Sequence, residues 1–329
     1  METIRESPAG VLPELAAIRG HKTPGHPEPR QVEVYICCPS GGVNENTGIM
    51  LVSHNWGGTW QTCAPWCGVI ADKFNLITLD VNYWQSGWKR GDAPYDFGVI
   101  QSMDCLLALR EVRQHLMKRG IPFNRRRVYA SGASGGGNVS QMLNKLAPRS
   151  FGCVIDLCGP VLTWDVARGR GALDAGYSAD PAAANYLTPA MMEIRDFGNP
   201  AHLAIQYRYN PEAQVVIVHA LGDEACPCAD KAGVFANMLR AGFKPAAFFV
   251  TPVMADGIIV TGCDHQIGDR AYVISQFGKP YISEHGEFVR QLTAPDDFER
   301  GETVVYPVTG GEYRVDYSAG APVLSFSRG

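Results

Sequence analysis

Seven short apolar runs recur along the chain, and most of them do not alternate with polar residues: 32–38 (VEVYICC), 48–54 (GIMLVSH), 75–82 (NLITLDVN), 127–131 (RVYAS), 152–157 (GCVIDL), 214–220 (QVVIVHA) and 246–251 (AAFFVT). A strand wetted on one face shows a period of two. A strand covered on both faces has no polar side to show, and that is the condition inside a parallel sheet. Helical patterns lie between the runs. The clearest is 96–119, where Val99, Met103, Leu106 and Leu109 recur at helical spacing, Asp96 is placed to cap the start, and Gly120 with Pro122 ends the run. Others fall near 60–73, 137–147 and 229–241. Strand following helix in this way predicts an open, doubly wound α/β sheet.

Three intervals fall outside that rhythm. Residues 1–30 read as a loose lead-in, because HKTPGHPEPR is too dense in Pro and Gly for a helix. Residues 31–285 read as one α/β domain. Within it, 161–212 is longer than a crossover needs and carries Trp164, Tyr177, Tyr186, Tyr207 and Tyr209, so a partly helical insertion or lid is expected there. From 286 to 329 a hairpin-like tail predicts an added β element on the same domain.

Composition excludes several functions. A formal charge of −4 and a pI near 6.1 argue against a nucleic-acid binder. No window nears eighteen apolar residues, so no membrane partner is expected. METIRESPAG lacks the basic start and apolar run of a secretory leader, which points to the cytoplasm and reduced thiols. The ten cysteines (37, 38, 63, 67, 105, 153, 158, 226, 228 and 263) fall largely in apolar runs and without paired C-x-x-C spacing. They are expected as small buried hydrophobes, with no metal site. Oligomeric state has no signal in the sequence.

The chemistry concentrates in YASGASGGGNVSQ, residues 129–141. Fixing glycine costs conformational entropy, so a cluster of them needs a reason. Here a buried strand runs into Gly132-Ala133-Ser134-Gly135-Gly136 and then a helix. That is the setting of a G-x-S-x-G elbow, in which Ser134 sits on a tight strained turn with its hydroxyl exposed. The helix start behind it favours developing negative charge. The turn lacks the Lys of a phosphate loop and the placement of a dinucleotide fingerprint.

A nucleophilic serine needs a base, and the base needs an orienting acid. In this architecture they follow in the order Ser, acid, His. Asp223 lies just past the run 214–220, with Glu224 adjacent as the fallback. His265 lies in the loop past the last core strand, in GCDH, with Asp264 beside it. His285 is the other histidine after the acid. His219 lies within a strand and reads as a core residue. The oxyanion hole is expected from the Gly135 N–H and a second N–H, from Asn55 or Trp56, in the loop HNWGG. Trp56, Trp60, Trp66, Tyr83, Trp84 and Trp88 follow strand ends and are expected to supply an aromatic substrate pocket. Lys89 and Arg90 read as a solvated pair, with a carboxylate clamp as the alternative.

HNWGG, GASGG, LGDEACP and GCDH, in this order over roughly 48–270, resemble the α/β-hydrolase superfamily. The stretch RRVYASGASGGGNVSQMLNKLAPRSFGCVIDLCGP is similar to the prolyl-oligopeptidase and feruloyl-esterase branches. The 329 residues hold no propeller, and HNWGG replaces the HGGG of the hormone-sensitive-lipase group. The resemblance implies a serine hydrolase acting on a small-molecule carboxylic ester through an acyl-enzyme, without metal or organic cofactor. Peptide or amide cleavage by the same triad is the alternative, and a non-catalytic binding relative is the second.

Overall fold

The computed structural model describes residues 1–7, 10–22, 28–88, 93–167, 169 and 173–329; Lys89 and Arg90 lie outside the described residues. The elements run β1 (Glu2–Arg5), β2 (Leu15–Arg19), β3 (Gln31–Cys37), β4 (Gly48–Ser53), α1 (Trp60–Phe74), β5 (Leu76–Val81), α2 (Val99–Lys118), β6 (Val128–Ala133) and α3 (Gly135–Leu146). There follow β7 (Cys153–Leu157), α4 (Trp164–Ala167), α5 (Pro189–Arg195), α6 (Pro200–Tyr209), β8 (Gln214–Ala220), α7 (Cys228–Ala241), β9 (Ala246–Val250), α8 (Arg270–Ile282), α9 (Asp297–Arg300), β10 (Thr303–Val308), β11 (Gly311–Asp316) and β12 (Val323–Arg328). Nine strands form one sheet in the order β1-β2-β3-β5-β4-β6-β7-β8-β9. From β5 to β9 every pairing is parallel, and β1 to β3 add an antiparallel flank.

The unbroken apolar runs are explained by their two covered faces. In β4, Ile49 and Leu51 join Met103, Leu106 and Leu109 of α2 in one core, while Met50 and Val52 join Cys63, Cys67 and Ile70 of α1 in the other. Alternate residues of one strand therefore feed opposite layers. The long helix begins at Val99, with Gly98 at the cap position, rather than at residue 96. Asp96 still does the capping chemistry, its Oδ2 accepting the N–H groups of Ile100 and Gln101.

One expectation changes. Residues 1–30 are not simply a lead-in, because β1 and β2 extend the sheet and Leu15–Ile18 are buried. The apolar run LAAI, too short to show a period, forms the strand ahead of the Pro-rich stretch. The interval 161–212 is a partly helical insertion, as expected, with α4, α5 and α6 in it; α6 packs on α3 and α7, and α5 packs on β10 and β11.

The tail forms a three-stranded antiparallel sheet, β10-β11-β12. It closes the far end of α3, where Tyr306 donates its hydroxyl to Lys145 O and Tyr317 donates to Leu146 O. A helix leaves its last carbonyls without internal partners, and these tyrosines supply them. Among the described residues no helix is long and apolar enough to cross a membrane.

Candidate active site

From Arg127 to Pro148 every residue is buried except Ser134. The elbow that exposes it rests on glycines. Ser134 has φ 55 and ψ −124, a left-handed value that L side chains avoid. A Cβ on Gly132 would run into Gly136 O, and one on Gly136 would run into Ser53 O. Both glycines are thus required by backbone contact, as the motif implies.

The carboxyl ends of the parallel strands gather the other groups. β8 ends at Ala220 and delivers Asp223, 4% exposed. Its Oδ2 lies 2.8 Å from His265 Nδ1, and its Oδ1 accepts the Cys226 N–H at 2.8 Å. Burial pushes the Asp223 carboxyl up. The hydrogen bonds from the His265 ring and the Cys226 amide, with the nearby His265 and His219 imidazoles, outweigh burial and hold it below the usual range. An ionised carboxylate only accepts, so His265 Nδ1 carries its proton towards Asp223 and Nε2 is left as the basic nitrogen. His265 and Ser134 line one cavity of about 200 Å³, together with Asn55, Thr62, Trp66, Ala133, Gln266 and Arg270. Among the described residues Ser134 Oγ makes no hydrogen bond.

The alternatives fall away on position. Glu224 is exposed, and Asp264 is an exposed turn acid accepting the Gln266 N–H. His285 is exposed beside Glu284, which contacts Asn75 at the opposite edge of the sheet. His219 is buried, and Nε2 meets Cys226 O at 2.6 Å; burial lowers its pKa, so it stays neutral beside Asp223.

Trp56 presents its amide to the elbow, since a Cβ on Gly135 would lie 2.6 Å from Trp56 N. Asn55 lines the cavity, with its side-chain Nδ2 donating to Trp56 O at 3.2 Å. Beneath this loop His54 is buried between Asn55 O and Ser86 Oγ, and burial pulls its pKa down to about 4.

The expected aromatic pocket is the main correction. Of the tryptophans that follow the loop, only Trp66 lines the cavity at Ser134. Tyr83 is buried below the loop, stacked on His54, with its hydroxyl donating to His54 O at 2.6 Å. Trp60 stacks on Tyr35 and donates Nε1–H to Glu33. Trp84 lies beneath the Arg30 guanidinium and faces a different cavity. Trp88 is 67% exposed and lies against Gly57. Trp56 stacks its ring on Tyr95, away from the elbow. Thr62, Gln266 and Arg270 had no signal in the sequence, because each is an ordinary polar residue until the fold converges them.

All ten cysteines are free thiols. Cys158, His219 and Asp223 converge, as do Asp223, Cys226 and His265, with candidate ligand atoms within 4.8 Å in each group. Burial pushes the Cys158 thiol up to about 12 and raises Cys226 also, so both are protonated thiols in the protein by itself.

No family model and no curated protein sequence matches the chain. Solved structures do. A puromycin-hydrolyzing peptidase of Mycobacterium tuberculosis superposes with TM-score 0.57 at 16% identity, over 79% of this chain and 37% of its own. The acylaminoacyl peptidase of Pyrococcus horikoshii gives TM-score 0.57 at 15% identity, over 83% and 42%. The dipeptidyl peptidase 4 of Porphyromonas gingivalis gives 0.54 at 14%, over 81% and 34%. This chain thus spans between about a third and two fifths of the length of those proteins. With the sheet order, the elbow and these superpositions together, the chain has the α/β-hydrolase fold.

Proposed function

We propose that this protein is a serine hydrolase that cleaves a carboxylic ester through Ser134, His265 and Asp223. One observation carries the reading. Ser134, the lone accessible residue of a buried elbow, shares a cavity with His265, whose Nδ1 is held 2.8 Å from the ionised Asp223. His265 Nε2 takes the Ser134 proton as Oγ attacks the carbonyl carbon. The oxyanion forms against the N–H groups of Gly135 and Trp56. Collapse expels the alcohol with the proton from His265, and water activated by the same nitrogen then releases the acid. Every step is carried by these side chains and amides.

A second reading has its own support. The structural relatives named above are peptidases, so amide cleavage by the same residues is the alternative. An ester and an anilide of the same acyl group separate the two. The first test is fluorophosphonate labelling together with p-nitrophenyl ester turnover across acyl lengths, for wild type and Ser134→Ala. Turnover and labelling lost in the variant support the hydrolase. An unlabelled wild-type Ser134 would return the protein to the binding-relative reading. A cavity of about 200 Å³ is small beside the roughly 300–1,000 Å³ of pockets for drug-sized ligands, so short acyl groups should be favoured over long ones.

A further inference from the structure

One cation in the Ser134 cavity has no part in the mechanism above. Arg270 is 9% exposed and lines that cavity beside His265. A guanidinium has five N–H donors. Nη1 donates to Gly268 O at 3.3 Å, and Nη2 donates to His265 O at 3.1 Å and to Gln266 Oε1 at 3.0 Å. Nε–H and one Nη1–H keep no protein acceptor among the described residues. All the acceptors it does use are neutral. No carboxylate forms an ion pair with it among the described residues; Asp223, Asp264 and Asp269 favour its charge only from a distance.

Its position on the helix makes this arrangement unusual. Arg270 is the first residue of α8, where the aligned peptide dipoles disfavour a cation. Arg127, more deeply buried, also uses only neutral acceptors, but it meets helix ends of the opposite sign. It donates to Phe74 O and Ile282 O, at the carboxyl ends of α1 and α8, where the dipoles favour it. A buried charge without a counter-charge is costly, and the protein supplies little to offset it at Arg270. The cavity is the direction from which an anion can come.

We propose that Arg270 binds a carboxylate of the substrate, so that Ser134 acts on short esters carrying an anionic group. This inference rests on the serine-hydrolase reading and narrows it. A charge-assisted hydrogen bond of this kind is worth about 10- to 100-fold in kcat/KM. Arg270 also holds the carbonyl of His265, so a purely positional role must be told apart.

The experiment compares isosteric charged and neutral esters by pH-stat. Methyl hydrogen succinate and methyl 4-oxopentanoate place the group on the acyl side; acetoxyacetate and acetoxyacetone place it on the alcohol side. Wild type should prefer the charged member of one pair by about 10-fold or more in kcat/KM. That pair tells which side carries the carboxylate. In Arg270→Gln the charged-to-neutral ratio should fall by at least about 10-fold, chiefly through KM, and Arg270→Lys should recover part of it. A wild-type ratio near one for both pairs overturns the inference. So does an Arg270→Gln variant that slows both members in step, which would make Arg270 a positioning residue for His265. If Arg270→Gln does not fold, the wild-type ratios and Arg270→Lys still decide. Fluorophosphonate labelling of Ser134 is read in parallel. Labelled protein without charge preference, or without turnover of any of the four esters, overturns this inference and leaves the hydrolase reading. Absence of both labelling and turnover overturns the two together.

Discussion

Arg195 and Arg270 are both buried and both face cavities, yet their charges are met differently. Arg195 lines a cavity of about 350 Å³ with Trp84, Tyr177, Tyr186 and Tyr313, and its Nη2 lies 3.3 Å from Asp96 Oδ1. Its Nε donates to Asp96 O and its Nη1 to Met191 O, with Tyr177 below the guanidinium. Asp96 in turn caps the start of α2. That arginine ties the segment before α2 to α5, and its charge is answered inside the protein. Arg270 has carbonyl and amide partners only, and faces the cavity that holds Ser134. A compensated buried charge is architecture, whereas one left facing a cavity is a feature for binding.

The largest test of that contrast is Ser134→Ala. Removing the nucleophile should lower kcat by a factor of about 10⁴ or more, with the thermal midpoint little changed, because an exposed hydroxyl carries almost no packing. Unfolding curves and ester turnover read both. Turnover retained by the variant would move the chemistry away from the elbow and dissolve the difference between the two cavities.

Next comes Arg195→Met. It leaves Asp96 buried without its cation, which should cost about 3–5 kcal/mol of stability. The fraction that stays folded should still be labelled by fluorophosphonate at Ser134. Lost labelling in folded protein would show that the larger cavity belongs to the site.

Lys145 is a third member of the comparison. It is buried at the end of α3, its Nζ donating to Glu193 O and Asp196 O, and burial lowers its pKa to about 7 although the Asp196 and Glu193 charges oppose the shift. A cation with neither carboxylate partner nor ligand should lose its proton. The unfolded chain keeps that proton up to about 10.5, so between those values folding releases protons. Stability from this group therefore rises with pH across the window and is lost as pH falls towards 7, by up to roughly 1.4 kcal/mol per pH unit. Denaturant titrations at a series of pH values should show this slope in wild type and its removal in Lys145→Met. Equal slopes would mean that Lys145 stays charged when folded.

The smallest effects concern the tryptophans. Trp60→Ala removes a stack on Tyr35 and should leave KM within about two-fold, at a stability cost near 1 kcal/mol. Trp66→Ala opens the wall of the Ser134 cavity and should shift KM several-fold, most for the shorter acyl groups. The reverse ranking would mean that the substrate extends past the cavity towards α1's outer face.

What could be read without the structure was local or topological. β4, β5 and β6 were legible because a strand covered on both faces is apolar at every position. The elbow was legible because Gly132 and Gly136 answer to backbone atoms a few residues away, or to the strand beside them. Asp223 and His265 followed from chain order, since strand ends in a parallel sheet share one edge. Each of these is a property of a segment and its place in the sequence.

Tertiary structure decided the rest. The rings of Trp60, Tyr83, Trp84 and Trp88 follow strand ends as a pocket would require, but their direction depends on Tyr35, His54, Arg30 and Gly57, which come from other segments. β2 is a five-residue strand with a four-residue apolar run, LAAI, placed in the sheet by pairing with β3. Arg270 is an unremarkable helix-starting residue in the sequence. It becomes a buried cation without a carboxylate partner in the Ser134 cavity only when the His265 loop, the elbow and the start of α1 meet. Sequence periodicity records what one element buries, while the surroundings of a charge are set by groups far apart in the chain, and only their packing brings them within reach.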